Sequence, residues 1–298
     1  MNKDVYLGMR PGDLDDKPYA KYWQPEMSPL PAHAAEAVLQ GPASQELGFP
    51  HEQAGQLLAP GYLPLETGYT RLANGQVFVS VLTHMPGVTG EMIDWWFGWH
   101  GIENERYKLW HPRAHMKTSM KNPLSAEPGL TDCEKYVGNV SYVEEYIGGE
   151  NLPISIAFQT PAENYLDEAG FAQAGIQTAV CARVGITKSN LNFSRLIHLI
   201  RETEDGCEMR SRFWLGDVAF GALPERNIVN RLLGSRFIAR RAASLETGRD
   251  LLVHCSMEMN HLASFLPDLY RDYNPQKRDC PKTCANEAIS DDHACLSL

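Results

Sequence analysis

The sequence predicts an α+β fold: a small N-terminal subdomain, a β-rich middle and one long C-terminal helix. Three observations carry this. Segments rich in β-branched and aromatic residues, bounded by Gly or Pro, recur between residues 76 and 215. Two of them flank Asp205-Gly206, a favoured two-residue hairpin turn. Past Pro224 the pattern turns helical, and over Leu245–Tyr270 apolar residues fall at 251, 252, 255, 259, 262, 265, 266 and 269.

In chain order, residues 1–75 are rich in Pro, Gly and Ala, and runs such as PEMSPLPAH and LLAPGYLPLETGY break any helical or strand period after a few residues. They read as an arm or small subdomain. The main domain, 76–275, opens on a buried strand, Gln76–Leu82, after which Met85-Pro86-Gly87 turns the chain into an aromatic helical stretch, Ile93–His100. Strands are expected at Tyr136–Ile147, Pro153–Phe158 and Ile176–Ile186, followed by the hairpin Asn192–Glu204 and Cys207–Leu215. With 205 and 206 as the loop, 204 faces 207 and His198 faces Phe213, on one side with Leu196, Ile200, Met209 and Leu215. Residues 276–298 form a polar tail.

Composition narrows the function. Against 27 Lys+Arg stand 37 Asp+Glu, a net charge of −10, which excludes a nucleic-acid-binding surface by composition. No run approaches the roughly 18 apolar residues of a membrane span, and MNKDVYLGMRPGDLDDKPY lacks the apolar centre of a signal peptide, so a soluble cytoplasmic protein is expected. Seven thinly spread cysteines read as reduced. Nucleophile-elbow, Walker, G-x-G-x-x-G, H-E-x-x-H and C-x-x-C motifs are all missing, and the Cys280-x-x-x-Cys284 pair with His293 and Cys295 fits no standard zinc spacing.

Three clusters can carry chemistry. His254-x-x-x-Glu258 lies on the long helix, where four residues make about 1.1 turns, so imidazole and carboxylate project from one face roughly 6 Å apart. A divalent metal such as zinc takes both ligand types. The commoner origin of this spacing is a surface ion pair, but Leu251, Cys255, Met259, Leu262 and Phe265 place the pair at the border of the core. His261 is a further ligand or a neighbour. The second cluster is Tyr107-Lys-Leu-Trp110-His111-Pro112-Arg-Ala-His115, where the proline disrupts a helix and a turn can aim one imidazole inward, at least one of the two histidines being expected exposed. The third is Glu144-Glu145: alternation sets Val143, Glu145 and Ile147 on the more apolar face, where Glu145 needs a metal or an Arg as partner. Trp95, Trp96, Trp99 and Trp110 can line an aromatic-substrate pocket or form plain core.

The run Pro86-Gly-Val-Thr-Gly-Glu-Met-Ile-Asp-Trp-Trp-Phe-Gly-Trp99, with Tyr107-Lys-Leu-Trp-His-Pro112, His115, Glu145-Tyr-Ile-Gly148, Met209-Arg-Ser-Arg-Phe-Trp214 and His254-x-x-x-Glu258, resembles the 2,4-diacetylphloroglucinol hydrolase family, which includes phloretin hydrolases. The resemblance implies a Bet v 1-like helix-grip domain, a curved antiparallel sheet around the C-terminal helix, with the N-terminal portion used for homodimer contacts. It implies a zinc-dependent hydrolase cleaving the carbon–carbon bond between an acyl group and a phenolic ring. Carried over by position, the two-His, two-Glu zinc site falls on His115, Glu145, His254 and Glu258, and the pocket tyrosine and histidine on Tyr107 and His198. Where the family has a second pocket tyrosine this chain has Phe213, and where it has an asparagine after the first zinc histidine it has Thr118. Those departures remove a phenol hydroxyl and an amide from the substrate-binding set, so a small aromatic ketone is expected as substrate without a particular one. An isomerase or cyclase of polyketides, or a carrier of aromatic ligands, are the alternatives on the same scaffold.

Overall fold

Alternating side chains over residues 68–220 build eight strands into one antiparallel sheet of order β1-β2-β8-β7-β6-β5-β4-β3. The strands are β1 Gly68–Arg71, β2 Val77–Pro86, β3 His115–Met120, β4 Val140–Ile147, β5 Glu150–Gln159, β6 Ile176–Ile186, β7 Leu191–Thr203 and β8 Gly206–Phe220. The helices are α1 Ala32–Gln40, α2 Gly90–His100, α3 Asn104–Trp110, α4 Asp132–Tyr136, α5 Phe171–Ala174, α6 Ile228–Leu233, α7 Arg236–Ala242 and α8 Leu245–Tyr273. This computed structural model describes residues 8–187, 189–221, 223 and 227–274; the expected tail at 276–298 lies outside them.

The sheet curves around α8, the helix-grip arrangement. Ser244 caps α8, its hydroxyl accepting from the Thr247 amide at 2.9 Å. The helix then buries Leu252, Cys255, Met259, Leu262, Leu266 and Leu269 completely against the inner face of the sheet and α2. Gly248 is where the helix comes closest, since a Cβ there would meet Val77 Cγ1 at 2.6 Å.

The sheet is buried on both faces. Leu196, Ile200, Met209 and Phe213 point inward, while Ile197, Leu199 and Trp214 belong to an outer apolar layer closed by Phe49, Ala54, Leu57, Leu65 and Leu72. The described residues up to 75 thus supply the cover of the outer face, the edge strand β1 and α1, whose nine helical residues the Pro- and Gly-rich texture did not announce. Trp214 Nε1 donates to the Phe49 carbonyl at 2.7 Å, and the buried Arg210 and Arg212 both pair with Glu66. Burial alone would raise the Glu66 carboxyl, but the two guanidiniums hold it below the usual carboxylate range.

Removing that carboxylate strands two buried cations. Glu66→Gln is expected to destabilise the fold by about 3–5 kcal/mol in denaturant titrations near neutral pH. Because the folded pKa is depressed, the contribution is complete above the ordinary glutamate value of 4.5 and is lost as pH falls through the lowered one, so wild-type and variant stabilities converge in acid.

The β7–β8 turn falls one residue earlier than expected, which shifts the register by two. Glu204 and Asp205 form the loop, Thr203 pairs with Gly206, and His198 faces Ser211 while Phe213 faces Leu196. A shift of two preserves the face, so His198 and Phe213 still point inward together, ring centroids 5.7 Å apart. Strand β2 also runs on through Pro86, tolerated because β1 covers only Val77–Ser80 and leaves the far end of that edge open.

Candidate metal centre and pocket

A cavity opens between α8 and the inner face of the sheet, with apolar walls from Val143, Leu152, Ile154, Ile156, Phe158 and Leu251 and with charged groups at one end. Three elements deliver those groups. Pro112 follows the end of α3, and a bulge between His115 and Lys117 sets His115 directly across from Glu145 of β4. Alternation along β4 buries Ser141, Val143 and Glu145 and leaves Glu144 outside, paired with Lys117 at 2.8 Å. From α8, His254 and Glu258 project on one face as the i,i+4 spacing requires.

The donor atoms converge. One atom from each of His115, Glu145 and His254 lies within 4.8 Å of the others. Glu258 Oε2 lies beside this trio, 3.4 Å from His115 Nε2 and 3.6 Å from His254 Nε2. His115 Nδ1 donates to the Tyr107 carbonyl at 3.0 Å, which fixes the tautomer and turns a bare Nε2 toward the carboxylates. That Nε2 is buried and has no hydrogen-bond partner, as a ligand nitrogen awaiting a cation would be. Burial, with the Glu145 charge beside it, raises Glu258 well above the usual range, while burial lowers His115 far below its own and His254 in the same direction. Two neutral imidazoles and two buried carboxylates form a donor set that fits zinc.

Tyr107 and His198 stand on the cavity wall. The Tyr107 ring stacks on His115 at 3.8 Å between centroids, and its hydroxyl donates a short hydrogen bond to Glu145 Oε2. Burial, reinforced by Glu145, raises that phenol well above 10, so it stays a donor. His198 Nδ1 is 2.7 Å from Ser211 Oγ, and burial pushes its pKa down to about 3.

Phe213 also lines the cavity, whereas Thr118 is set back from it, its hydroxyl donating to the Gly101 carbonyl at 3.1 Å. Contrary to the expectation of an exposed loop histidine, His111 and His115 are both buried, His111 stacking on His254 at 4.7 Å. His261 stands apart from the donor group and accepts from the Ser28 amide at 3.2 Å, tying the N-terminal segment to α8. Of the four tryptophans only Trp110 lines the cavity; Trp96 is fully buried, and Trp95 and Trp99 stack on each other. Sequence reading missed His100, Ser141 and Ser194, three polar groups on the cavity wall. The strand alternation that selected Glu145 also selects Ser141, four residues earlier on the same face.

The family model described as the DAPG hydrolase PhiG domain matches residues 49–271, a span that holds every one of these groups. The chain belongs to the DAPG hydrolase family. It is 34% identical over 264 residues to a 2,4-diacetylphloroglucinol hydrolase of Pseudomonas protegens, covering 87% of this chain and 85% of that one. It is 30% identical over 260 residues to a phloretin hydrolase of Eubacterium ramulus, covering 85% and 89%. A solved structure of Ara h 8.0201 matches 58% of this chain and 98% of its own at a TM-score of 0.28 and 12% identity, too distant to bear on the DAPG hydrolase site. No helix among the described residues is long and apolar enough to cross a membrane.

Proposed function

We propose that this chain is a zinc-dependent hydrolase that cleaves the bond between an acyl group and a phenolic, phloroglucinol-like ring by a retro-Claisen route, releasing a carboxylic acid. The observation that carries the reading is the convergence of His115, Glu145, His254 and Glu258 at one end of an apolar cavity, in a family named for this chemistry.

An acyl–aryl bond resists hydrolysis because an aryl carbanion would have to leave. Protonating the ring carbon that bears the acyl group turns the ring into a β-diketone, and water added to the side-chain carbonyl can then expel an enolate. When bound, the zinc supplies a water of lowered pKa or polarises a substrate oxygen. His198 is the proton-transfer group. Neutral in the free protein, it takes the proton of a substrate phenol hydroxyl, the phenolate so formed favouring the imidazolium beside it, and hands that proton to the ring carbon. Tyr107, held protonated and donating to Glu145 in the free protein, turns that hydrogen to an oxygen of the substrate on binding and orients the phenolate. The apolar walls keep other water away from the ring.

The test is hydrolysis of an acylphloroglucinol in ¹⁸O-labelled water. The expected result is one labelled oxygen in the released carboxylic acid. Turnover to an isomer or cyclised product with no labelled acid would overturn the hydrolase reading and establish a different reaction on the same scaffold.

A further inference from the structure

Besides His115, His198 and His254, the cavity wall holds a fourth imidazole, which the route above does not use. His100, the last residue of α2, lines the cavity beside Tyr107, the two rings nearly parallel at 20° with centroids 5.9 Å apart. Tyr107 stacks in turn on His115, so His100, Tyr107 and His115 form a column of rings leading to the metal-binding end. The polar ends of the two inner members lie toward that end: His115 Nε2 in the ligand cluster, and the Tyr107 hydroxyl, in the free protein, on Glu145. His100 closes the column at the end remote from the carboxylates.

Its tautomer is fixed by the chain. His100 Nδ1 is 2.7 Å from the Trp96 carbonyl, one helical turn back, and a carbonyl only accepts, so Nδ1 carries the hydrogen. Nε2 is therefore an acceptor. Unlike the Nε2 atoms of His115 and His261, it is not among the sealed, unpartnered buried atoms, and the ring borders the cavity. Trp96, Phe97 and Trp110 clamp the imidazole at centroid distances of 5.0, 5.5 and 5.3 Å, so it cannot swing away. Burial holds its pKa down at about 4, and the acceptor persists at neutral pH.

We propose that His100 is a specificity-determining residue whose Nε2 accepts a hydrogen bond from a phenolic hydroxyl of the substrate ring remote from the acyl group. The inference rests on the hydrolase reading, in which the acyl carbon lies at the metal end and the far side of the ring extends along the column toward His100. A fixed acceptor in an apolar wall discriminates strongly, because a ligand without the hydroxyl leaves it desolvated and unpaired.

The test compares two ketones that differ by one oxygen: 2,4,6-trihydroxyacetophenone and 2,6-dihydroxyacetophenone, which lacks the hydroxyl para to the acyl group. Dissociation constants are measured calorimetrically on metal-loaded wild type, on His100→Phe, which keeps the ring and loses the acceptor, and on His100→Gln, which keeps an acceptor oxygen. Wild type is expected to bind the trihydroxy compound at least about tenfold more tightly. That ratio is expected to fall to near one in His100→Phe and to recover in part in His100→Gln, with zinc content unchanged. A purely packing role for His100 would weaken both ligands alike and leave the ratio untouched, which overturns the inference, as does a wild type that binds the two equally. Should His100→Phe fail to fold, His100→Gln against wild type decides, a ratio of one in both overturning the inference. A wild type that binds neither ketone and releases no acid from an acylphloroglucinol overturns the hydrolase reading, and the inference with it.

Discussion

Glu258→Ala, purified without added metal, is expected to carry almost no zinc, where wild type carries about one per chain. The argument is electrostatic as well as geometric. Glu258 Oε2 stands 3.4 and 3.6 Å from two imidazole nitrogens, and its loss removes one of the two carboxylates that balance a divalent cation in a buried site. Partners outside the ligand shell already cost 10–100-fold in affinity when lost, and a direct ligand costs more. The alternative role, a helical His–Glu pair serving the fold, predicts the reverse: no zinc in wild type and a loss of stability in the variant. Elemental analysis of the two proteins separates these outcomes, and a metal-free wild type would sink the hydrolase reading and favour a carrier of aromatic ligands.

His198→Ala is expected to reduce turnover by about 10²–10⁴-fold while zinc content stays at the wild-type level. His198 is held by Ser211 at 2.7 Å on the cavity wall and is not a member of the donor cluster, so its removal leaves the donor set intact. If His198 were only a satisfied histidine of the sheet interior, the alanine variant would lose stability and keep its turnover per folded molecule. Loss of zinc instead would assign it to the metal site. Steady-state kinetics on a protein of verified zinc content distinguishes the three results.

What the sequence made legible follows from which forces are local. Strand β6 runs over Ile176–Ile186 as its β-branched pattern predicts, and α8 begins and ends close to its apolar stripe because a helix face and a cap are written in neighbouring residues. Alternation and the Glu-Tyr-Ile-Gly match favoured Glu145 over Glu144 without settling the choice, and β4 buries Glu145. The hairpin loop was misplaced by one residue, and the register by two, because two overlapping dipeptides, Glu204-Asp205 and Asp205-Gly206, both fit a tight turn, and the choice is made by how Gly206 seats against β2. Burial of His111, the inward exposure of His100 and the turning of the Thr118 hydroxyl to Gly101 depend on partners distant in sequence, which no local pattern encodes. The same is true of residues 1–75: their Pro- and Gly-rich texture reports irregular backbone, whereas their role as cover for Trp214 and Arg212 is visible only from the strands they meet.

The strand order has a further consequence, for the time course of folding. From β3 to β8 every strand pairs with the next one in the chain, so those contacts form across connections no longer than 121–139. The β2–β8 seam is different: Pro86 pairs with Gly206, and 206 − 86 = 120 positions of chain must be looped out before it can close. Gly206 sits at both structures, ending the hairpin turn and admitting the β2 backbone so closely that a Cβ would lie 2.6 Å from the Met85 carbonyl oxygen. The meander can therefore assemble early as a unit with an open edge, and the slow event is the docking of β2 along β8, which carries β1 into the sheet and closes the floor beneath α8.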